Sequence, residues 1–134
     1  MVFVPLALGE EPIWFGAIGL MAWSMAKHTY DAIQDIDEDL NSGIVTTAVY
    51  LKPRGVVYWS GFWWLVSTIG FWLVNIPVAI VNGLVAGYLL FAVWRKPTLE
   101  AGRAMYKYSI AFPYIAGAVA GIQVVTGLLL GFYP

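Results

Sequence analysis

The sequence predicts an all-α integral membrane protein, a helical bundle with about four transmembrane helices. Of its 134 residues, 60% are hydrophobic and 11% are charged, whereas about a quarter of the residues of a soluble domain are charged. Several stretches without charge also approach the roughly 20 residues that a helix needs to cross a bilayer. Because a soluble fold of this size could not bury so much apolar surface, we expect one membrane domain over 1–134, surrounded by the lipid bilayer.

The spans are predicted at 13–30, 55–74, 76–94 and 108–133. The last three contain no Asp, Glu, Lys or Arg. The first has a shorter apolar part, Ile13 to Ala26, and we expect its helix to continue through Lys27 to Tyr30, with the lysine stem reaching toward the headgroups. Trp and Tyr lie at several of these ends, as is typical of a membrane–water interface.

The basic residues predict the orientation of the bundle. With four spans, all seven Lys and Arg lie in or beside the first and third loops, on one side of the membrane. The positive-inside rule makes that side cytoplasmic, so we expect a protein of the cytoplasmic membrane whose aspartate-rich loop faces the cytoplasm. The formal charge of −1 and the lack of a basic tract argue against nucleic acid as a partner. The absence of cysteine excludes disulfides and thiolate metal sites.

The one dense polar cluster lies between residues 31 and 39. Asp31, Asp35 and Asp39 are four residues apart, so on a helix they share one face, where like charges repel by about 0.2–0.5 kcal/mol per pair. Bound Mg²⁺ would offset this repulsion, because it uses one or two carboxylates together with substrate phosphates. A solvated acidic run at the end of a span is equally compatible with the spacing. Basic residues on the same side could complete a diphosphate site: Lys27, Lys52, Arg54, Arg95, Lys96, Arg103 and Lys107.

Residues 27–49 closely resemble the second aspartate motif of the UbiA family of intramembrane prenyltransferases, and most of all the branch that includes the lycopene elongases. Asp35 and Asp39 fall on the metal-binding aspartates of the motif, and its loop signature is matched by Gly43, Thr46 and Thr47. Ala32 stands where the fuller pattern has a third aspartate, as in the carotenoid branch. Gln34 replaces a usual proline, and Leu40 a common basic residue, a change expected to weaken diphosphate binding.

The resemblance implies the C-terminal half of a UbiA fold and a Mg²⁺-dependent transfer of a prenyl group from an allylic diphosphate to a lipophilic acceptor such as a carotenoid. Asp35 and Asp39 would be the catalytic residues and, with Asp31, the Mg²⁺ ligands. The diphosphate would be bound by Lys27, Lys52, Arg54 and Arg103. His28 and Tyr30 precede the aspartates and could support them or be purely structural.

The first aspartate motif of such enzymes has no counterpart in this sequence. Three explanations stay open: a split enzyme whose partner, a second membrane polypeptide, carries the first motif; a fragment of a longer enzyme; or a non-catalytic structural or pigment-binding subunit of a larger membrane complex. The first and third differ in class, as catalyst and scaffold. A transporter has weaker support, because apart from Lys27 and His28 at one end no charge lies inside a predicted span.

Overall fold

A computed structural model describes residues 9, 11 and 13–131, and these form helices and short connections without any strand. The predicted all-α class is therefore confirmed for the described part of the chain. In chain order the elements are α1 (Trp14–Asp31), a 3₁₀ helix η1 (Ala32–Asp35), α2 (Ile36–Asn41), α3 (Thr47–Trp72), α4 (Ile76–Arg95), α5 (Leu99–Ser109) and α6 (Ala111–Leu129).

Four of these helices are long, and they lie where the sequence predicts long helices. Two differences concern their ends. Helix α3 begins at Thr47 rather than at residue 55, with a break at Lys52. Helix α6 begins at Ala111 rather than at residue 108, and residues 132–133 of the last predicted span lie outside the described residues.

Within the described residues, two helical stretches are long and apolar enough to cross a membrane: α4, and the run Leu99–Leu129 that contains α5 and α6. Four spans were predicted. Helix α1 falls short because it ends in the polar residues Lys27 to Asp31, and α3 because Trp, Tyr and Ser interrupt its aliphatic residues. Little of the surface of the two apolar stretches is buried within the chain.

The separation of α5 from α6 has a local cause. Pro113 has no N–H to donate to the carbonyl of Ser109, four residues earlier, so the helix is interrupted at Ile110. Pro113 is then the third residue of α6, where an N–H would have no intrahelical partner anyway. The chain thus forms an 11-residue amphipathic helix and then a separate apolar one.

Helix α3 packs on both α1 and α4, and these three helices enclose the main core. An added Cβ on Gly70 would lie 2.9 Å from the Cα of Gly19, so α1 and α3 cross with their backbones nearly in contact. Two buried hydroxyls also join the helices: Tyr30 donates to the Leu89 carbonyl at 2.7 Å, and Ser60 to the Ala26 carbonyl at 3.0 Å.

The outward faces of the long helices are apolar. Large hydrophobic side chains are exposed along α1, α3, α4 and α6, among them Phe15, Phe62, Leu84 (70% exposed) and Leu129 (81% exposed). Contiguous apolar surface of this kind is rare on soluble monomers and marks contact with lipid or with other proteins.

Candidate functional site

The aspartate stretch does not form one continuous α-helix. Helix α1 ends at Asp31, residues Ala32–Asp35 form a 3₁₀ turn, and α2 begins at Ile36. A 3₁₀ turn has 3.0 residues rather than 3.6, so it shifts the angular positions of the later residues. The three aspartates also differ in burial: Asp31 is largely buried, Asp39 half-buried and Asp35 exposed. Among the described residues, no group of three His, Asp or Glu side chains is placed to hold a metal ion.

Asp31 pairs with Lys27, one helical turn earlier on α1. The Lys27 Nζ donates to Asp31 Oδ2, and the two side chains are 17% and 13% exposed. Asp31 Oδ1 is buried and has no hydrogen-bond partner within the described residues. Lys27 Nζ also lies 5.9 Å from the ring centroid of Tyr106 on α5, within the range of a cation–π contact. Lys27 is therefore held between its own helix and α5.

Asp39 is fixed by the loop that follows it. The hydroxyl of Thr46 donates to Asp39 Oδ2 at 3.0 Å, and the N–H of Ile44 donates to the Asp39 carbonyl at 2.8 Å. Gly43, with a φ of 71°, makes the turn that brings the loop back. Thr46 is also the N-cap of α3, since its Oγ1 accepts from the N–H of Val49 at 3.3 Å. One side chain thus orients the carboxylate and starts the next helix.

Helix α5 lies against the 3₁₀ turn, an arrangement that sequence reasoning missed. Gly102 of α5 contacts Ile33 of the turn, which is fully buried. A Cβ added to Gly102 would lie 2.4 Å from Ile33 Cγ2. Only glycine permits this approach. The contact brings the basic residues that follow on α5, Arg103 and Lys107, to the end of the bundle that carries the aspartates. A capping Thr98 before the sequence Leu99–Ser109 is the signal that could have revealed the helix.

Lys52 interrupts α3 with a strained backbone. Its φ of 58° and ψ of 166° fall in a region occupied almost only by glycine, at a cost of about 1–3 kcal/mol. The following Pro53 disfavours helical geometry at Lys52 but does not require a positive φ. Lys52, Arg54 and Arg103 are exposed, and Lys27–Asp31 is the one ion pair recorded within the described residues. Of the predicted diphosphate ligands, Lys52, Arg54 and Arg103 thus lie at the aspartate end of the bundle, and none of the three forms an ion pair within the described residues.

A polar cavity of about 200 Å³ lies between the end of α1 and the start of α3. Ala32 contributes only a methyl group to its wall, and Thr46, which binds Asp39, is part of the same wall. The cavity is open to the surface. Its lining residues come from two segments: His28, Thr29 and Ala32 from the first, and Thr46, Thr47 and Ala48 from the second.

A second, apolar cavity of about 380 Å³ lies toward the opposite end of the bundle, among α1, α3, α4 and α6. Trp23 and Phe71 line it, and both contact the ring of Phe112 at centroid distances of 5.4 and 5.6 Å. Its polar lining residue is Asn75, which caps α4 and donates to Gln123 Oε1 at 2.8 Å. This cavity has the character of a site for an apolar ligand.

Three curated proteins named lycopene elongase/hydratase are similar to this chain. The protein of Haloarcula japonica is 33% identical over 85 residues, covering 60% of this chain and 29% of the relative. That of Halobacterium salinarum is 35% identical over 101 residues, covering 75% and 36%. That of Haloferax volcanii is 30% identical over 102 residues, covering 69% and 34%.

The chain therefore spans about a third of the length of the curated relatives that it matches. A match that covers 75% of 134 residues must include residues 35–100, wherever it begins, so it contains Asp35, Asp39 and the loop of Thr46. No protein-family profile matches the chain, and no solved structure matches it. The aspartate segment therefore lies inside the region that is similar to these relatives.

Proposed function

We propose that this chain is the C-terminal half of a UbiA-type membrane prenyltransferase, which transfers a prenyl group from an allylic diphosphate to a lycopene-like polyene. The observation that carries the proposal is the match to lycopene elongase/hydratases across a segment in which Thr46 fixes Asp39. The name of the relatives joins elongation with hydration, and we extend both reactions to this chain.

The proposal places the chain in the cytoplasmic membrane, with the aspartate end facing the cytoplasm. Two stretches are apolar enough to span a bilayer, and the exposed faces of all four long helices carry large hydrophobic side chains. Such surface is stable in contact with lipid tails or with another membrane helix. The exposed Lys and Arg side chains lie near the aspartate end, in agreement with the positive-inside rule.

The aspartates offer the oxygen donors that Mg²⁺ prefers, although the described part of the chain does not gather three of them at one point. Asp35 is exposed, Asp39 is oriented by Thr46, and Asp31 retains a buried Oδ1 without a hydrogen-bond partner in the described part of the chain. Mg²⁺ prefers such oxygen ligands and needs only one or two carboxylates when a substrate phosphate completes its shell. When bound, it would neutralise negative charge on the departing diphosphate. Asp35 and Asp39 are the proposed principal ligands, with Asp31 as a third candidate.

The basic residues would hold the diphosphate. Arg103 approaches on α5, and Lys52 and Arg54 lie at the break in α3. Lys27 is also a candidate, although its ammonium group is paired with Asp31 and would have to share its hydrogens. Positioned cations that bind the oxygens of the leaving group stabilise the charge that develops as the C–O bond breaks.

The other half of the site would come from a second membrane polypeptide or from a further part of a longer chain. The matched region is about a third of each relative's length, so most of such an enzyme has no counterpart here. Helix α6 offers a free face for this partner: an added Cβ on Gly117 or Gly121 would meet no atom within 4 Å. Small residues at that spacing permit close contact between membrane helices.

The test is turnover in the assembled protein, purified from its native membrane with whatever polypeptide accompanies it. Replacing Asp35 with Asn should lower Mg²⁺-dependent release of diphosphate by about 10²-fold or more, since it removes a charge that organises the leaving group. Asp37→Asn is the matched control, because Asp37 is exposed on α2 and is not among the proposed ligands. Equal turnover in the two variants would contradict the assignment of Asp35 as a Mg²⁺ ligand.

A second candidate function is a structural or pigment-binding subunit of a larger membrane complex. The apolar cavity of about 380 Å³ favours it, because that cavity lies away from the aspartates and is lined by aromatic rings. Extraction in mild detergent separates the two candidates. A stoichiometric carotenoid in a complex that releases no diphosphate would select the scaffold.

A further inference from the structure

The proposed reaction must dispose of one proton, and the proposed catalytic residues do not receive it. The C–O bond of the allylic diphosphate breaks, and its electron pair leaves with the diphosphate. The electron pair of the polyene's terminal double bond then forms a new C–C bond to the allylic carbon. The neighbouring tertiary carbon is left with the positive charge. Water adds there to give an alcohol and loses one proton, or a proton is lost from an adjacent carbon to give an alkene.

We propose that the polar cavity beside Ala32 binds the water that adds to this carbon, and that His28 is the general base that accepts the proton the water loses. This inference rests on the proposed function. It assigns a ligand to a cavity that prenyl transfer alone does not require, and a catalytic role to the sole histidine of the chain.

The location of the cavity fits this role. The cationic carbon is two bonds from the carbon that carried the diphosphate, so water must attack close to the aspartates. Thr46 joins the two places, because its hydroxyl donates to Asp39 Oδ2 at 3.0 Å while the residue also lines the cavity. Water bound at Thr46 is therefore close to the allylic carbon from which the diphosphate has departed.

The cavity also has the size and polarity to bind water. Its volume of about 200 Å³ is well above the ~10–15 Å³ that one water molecule needs. A bound water needs two to four polar partners, and four side chains with polar atoms line the cavity: His28, Thr29, Thr46 and Thr47. The Thr29 hydroxyl donates to the Met25 carbonyl at 3.0 Å, so its oxygen remains able to accept from water.

The experiment uses the purified assembled protein with a five-carbon allylic diphosphate, lycopene and Mg²⁺. It measures total diphosphate released and the ratio of alcohol to alkene in the elongated product. Ala32→Val adds two methyl groups to the cavity wall, so it should crowd the bound water and lower the alcohol-to-alkene ratio severalfold, while diphosphate release continues. Ala118→Val is the matched control, because it adds the same two methyl groups at an exposed position on α6 that lines neither cavity. Its ratio should stay near that of the unaltered protein.

His28→Gln tests the base, since glutamine can hydrogen-bond to water but is not a base. A positioned general base contributes about 10²–10⁴-fold, so alcohol formation should fall by at least 10²-fold while the C–C bond still forms and alkene accumulates. Thr47→Val, which removes a hydroxyl at nearly constant shape, should lower the ratio in the same direction. It gives a second reading if the Ala32 variant does not fold.

The outcomes separate this inference from the function on which it rests. If the unaltered protein releases diphosphate and the product ratio is the same in His28→Gln, Ala32→Val and Thr47→Val, the water site is wrong. The departing diphosphate would then be the base, and prenyl transfer would stand. If the unaltered protein releases no diphosphate under any of these conditions, the proposed function fails and the water site with it.

Discussion

The hydroxyl of Thr46 donates a hydrogen bond to Asp39 Oδ2 at 3.0 Å, and the oxygen of that hydroxyl accepts a hydrogen bond from the N–H of Val49. Asp39 and Thr46 are seven positions apart, and Gly43 turns the chain between them. The orientation of the carboxylate and the start of α3 therefore depend on one atom.

Thr46→Ala should affect both functions of that atom. Loss of an N-cap destabilises a helix by about 1 kcal/mol, and Asp39 loses its orienting donor, so the concentration of Mg²⁺ needed for half-maximal diphosphate release should rise. Thr46→Ser keeps the hydroxyl and should resemble the unaltered protein in both respects. Titration of activity against Mg²⁺ and thermal unfolding in detergent measure the two effects. A normal Mg²⁺ requirement in Thr46→Ala would contradict the role assigned to the hydrogen bond.

Gly102→Ala should push α5 away from the aspartate end. The new Cβ would lie 2.4 Å from Ile33 Cγ2, and overpacking of this kind destabilises by about 1–3 kcal/mol. The sequence has no cysteine, so a single Ser109→Cys, at a side chain on α5 that is only 2% exposed, would report the displacement as faster labelling by a thiol reagent. Gly87→Ala is the control, because an added Cβ there meets no atom within 4 Å and alanine favours a helix. Identical labelling rates in the two glycine variants would rule out this packing contact.

Lys52→Gly should stabilise the fold. The backbone conformation at Lys52 costs about 1–3 kcal/mol for a residue with a side chain, and the extra flexibility of glycine in the unfolded chain offsets part of that gain. Lys52→Ala removes the same charge but keeps the strain, so the pair separates backbone from side chain. We expect the glycine variant to be up to about 2 kcal/mol more stable than the alanine variant. Chemical unfolding in mixed micelles measures the difference, and equal stabilities would show that Lys52 is not strained.

Tyr30→Phe should weaken the contact between α1 and α4. The Tyr30 hydroxyl is buried and donates to the Leu89 carbonyl at 2.7 Å. Removing one such hydrogen bond costs about 0.5–1.5 kcal/mol. Tyr58→Phe makes the same change on a side chain that is 70% exposed and should leave stability unchanged. The two variants are compared by thermal unfolding in the same detergent, and equal melting temperatures would mean that the hydrogen bond contributes nothing.

Hydropathy and turn chemistry were enough to predict the long helices. Uncharged runs predict α4 and α6, and Asn75 followed by Pro77 marks the start of α4, since asparagine is a good N-cap and proline fits the first turn. The pairing of Lys27 with Asp31 also follows from their spacing of four residues. These features depend on neighbours along the chain.

The features that escaped prediction depend on contacts distant in sequence. Whether residues 99–109 form a helix against the bundle depends on Gly102 meeting Ile33, 69 positions earlier. The polar cavity forms because residues 28–32 and 46–48 leave a gap between them. Two of the four predicted spans lie in helical stretches that are clearly apolar enough to cross a membrane, and α3 is less apolar because Trp and Tyr contribute less to hydropathy than aliphatic residues do.

The close packing of Gly102 against Ile33 has a consequence for any hybrid built from this chain and a relative. Ile33 lies in the segment that follows α1, and Gly102 lies in α5, which follows α4. The two residues are far apart in sequence, but their fit depends on both. Exchanging residues 27–47 or residues 99–109 alone would keep this contact only if the relative has a side chain no larger than isoleucine at position 33 and glycine at position 102. The two segments are therefore best exchanged together, so that both sides of the contact come from the same parent.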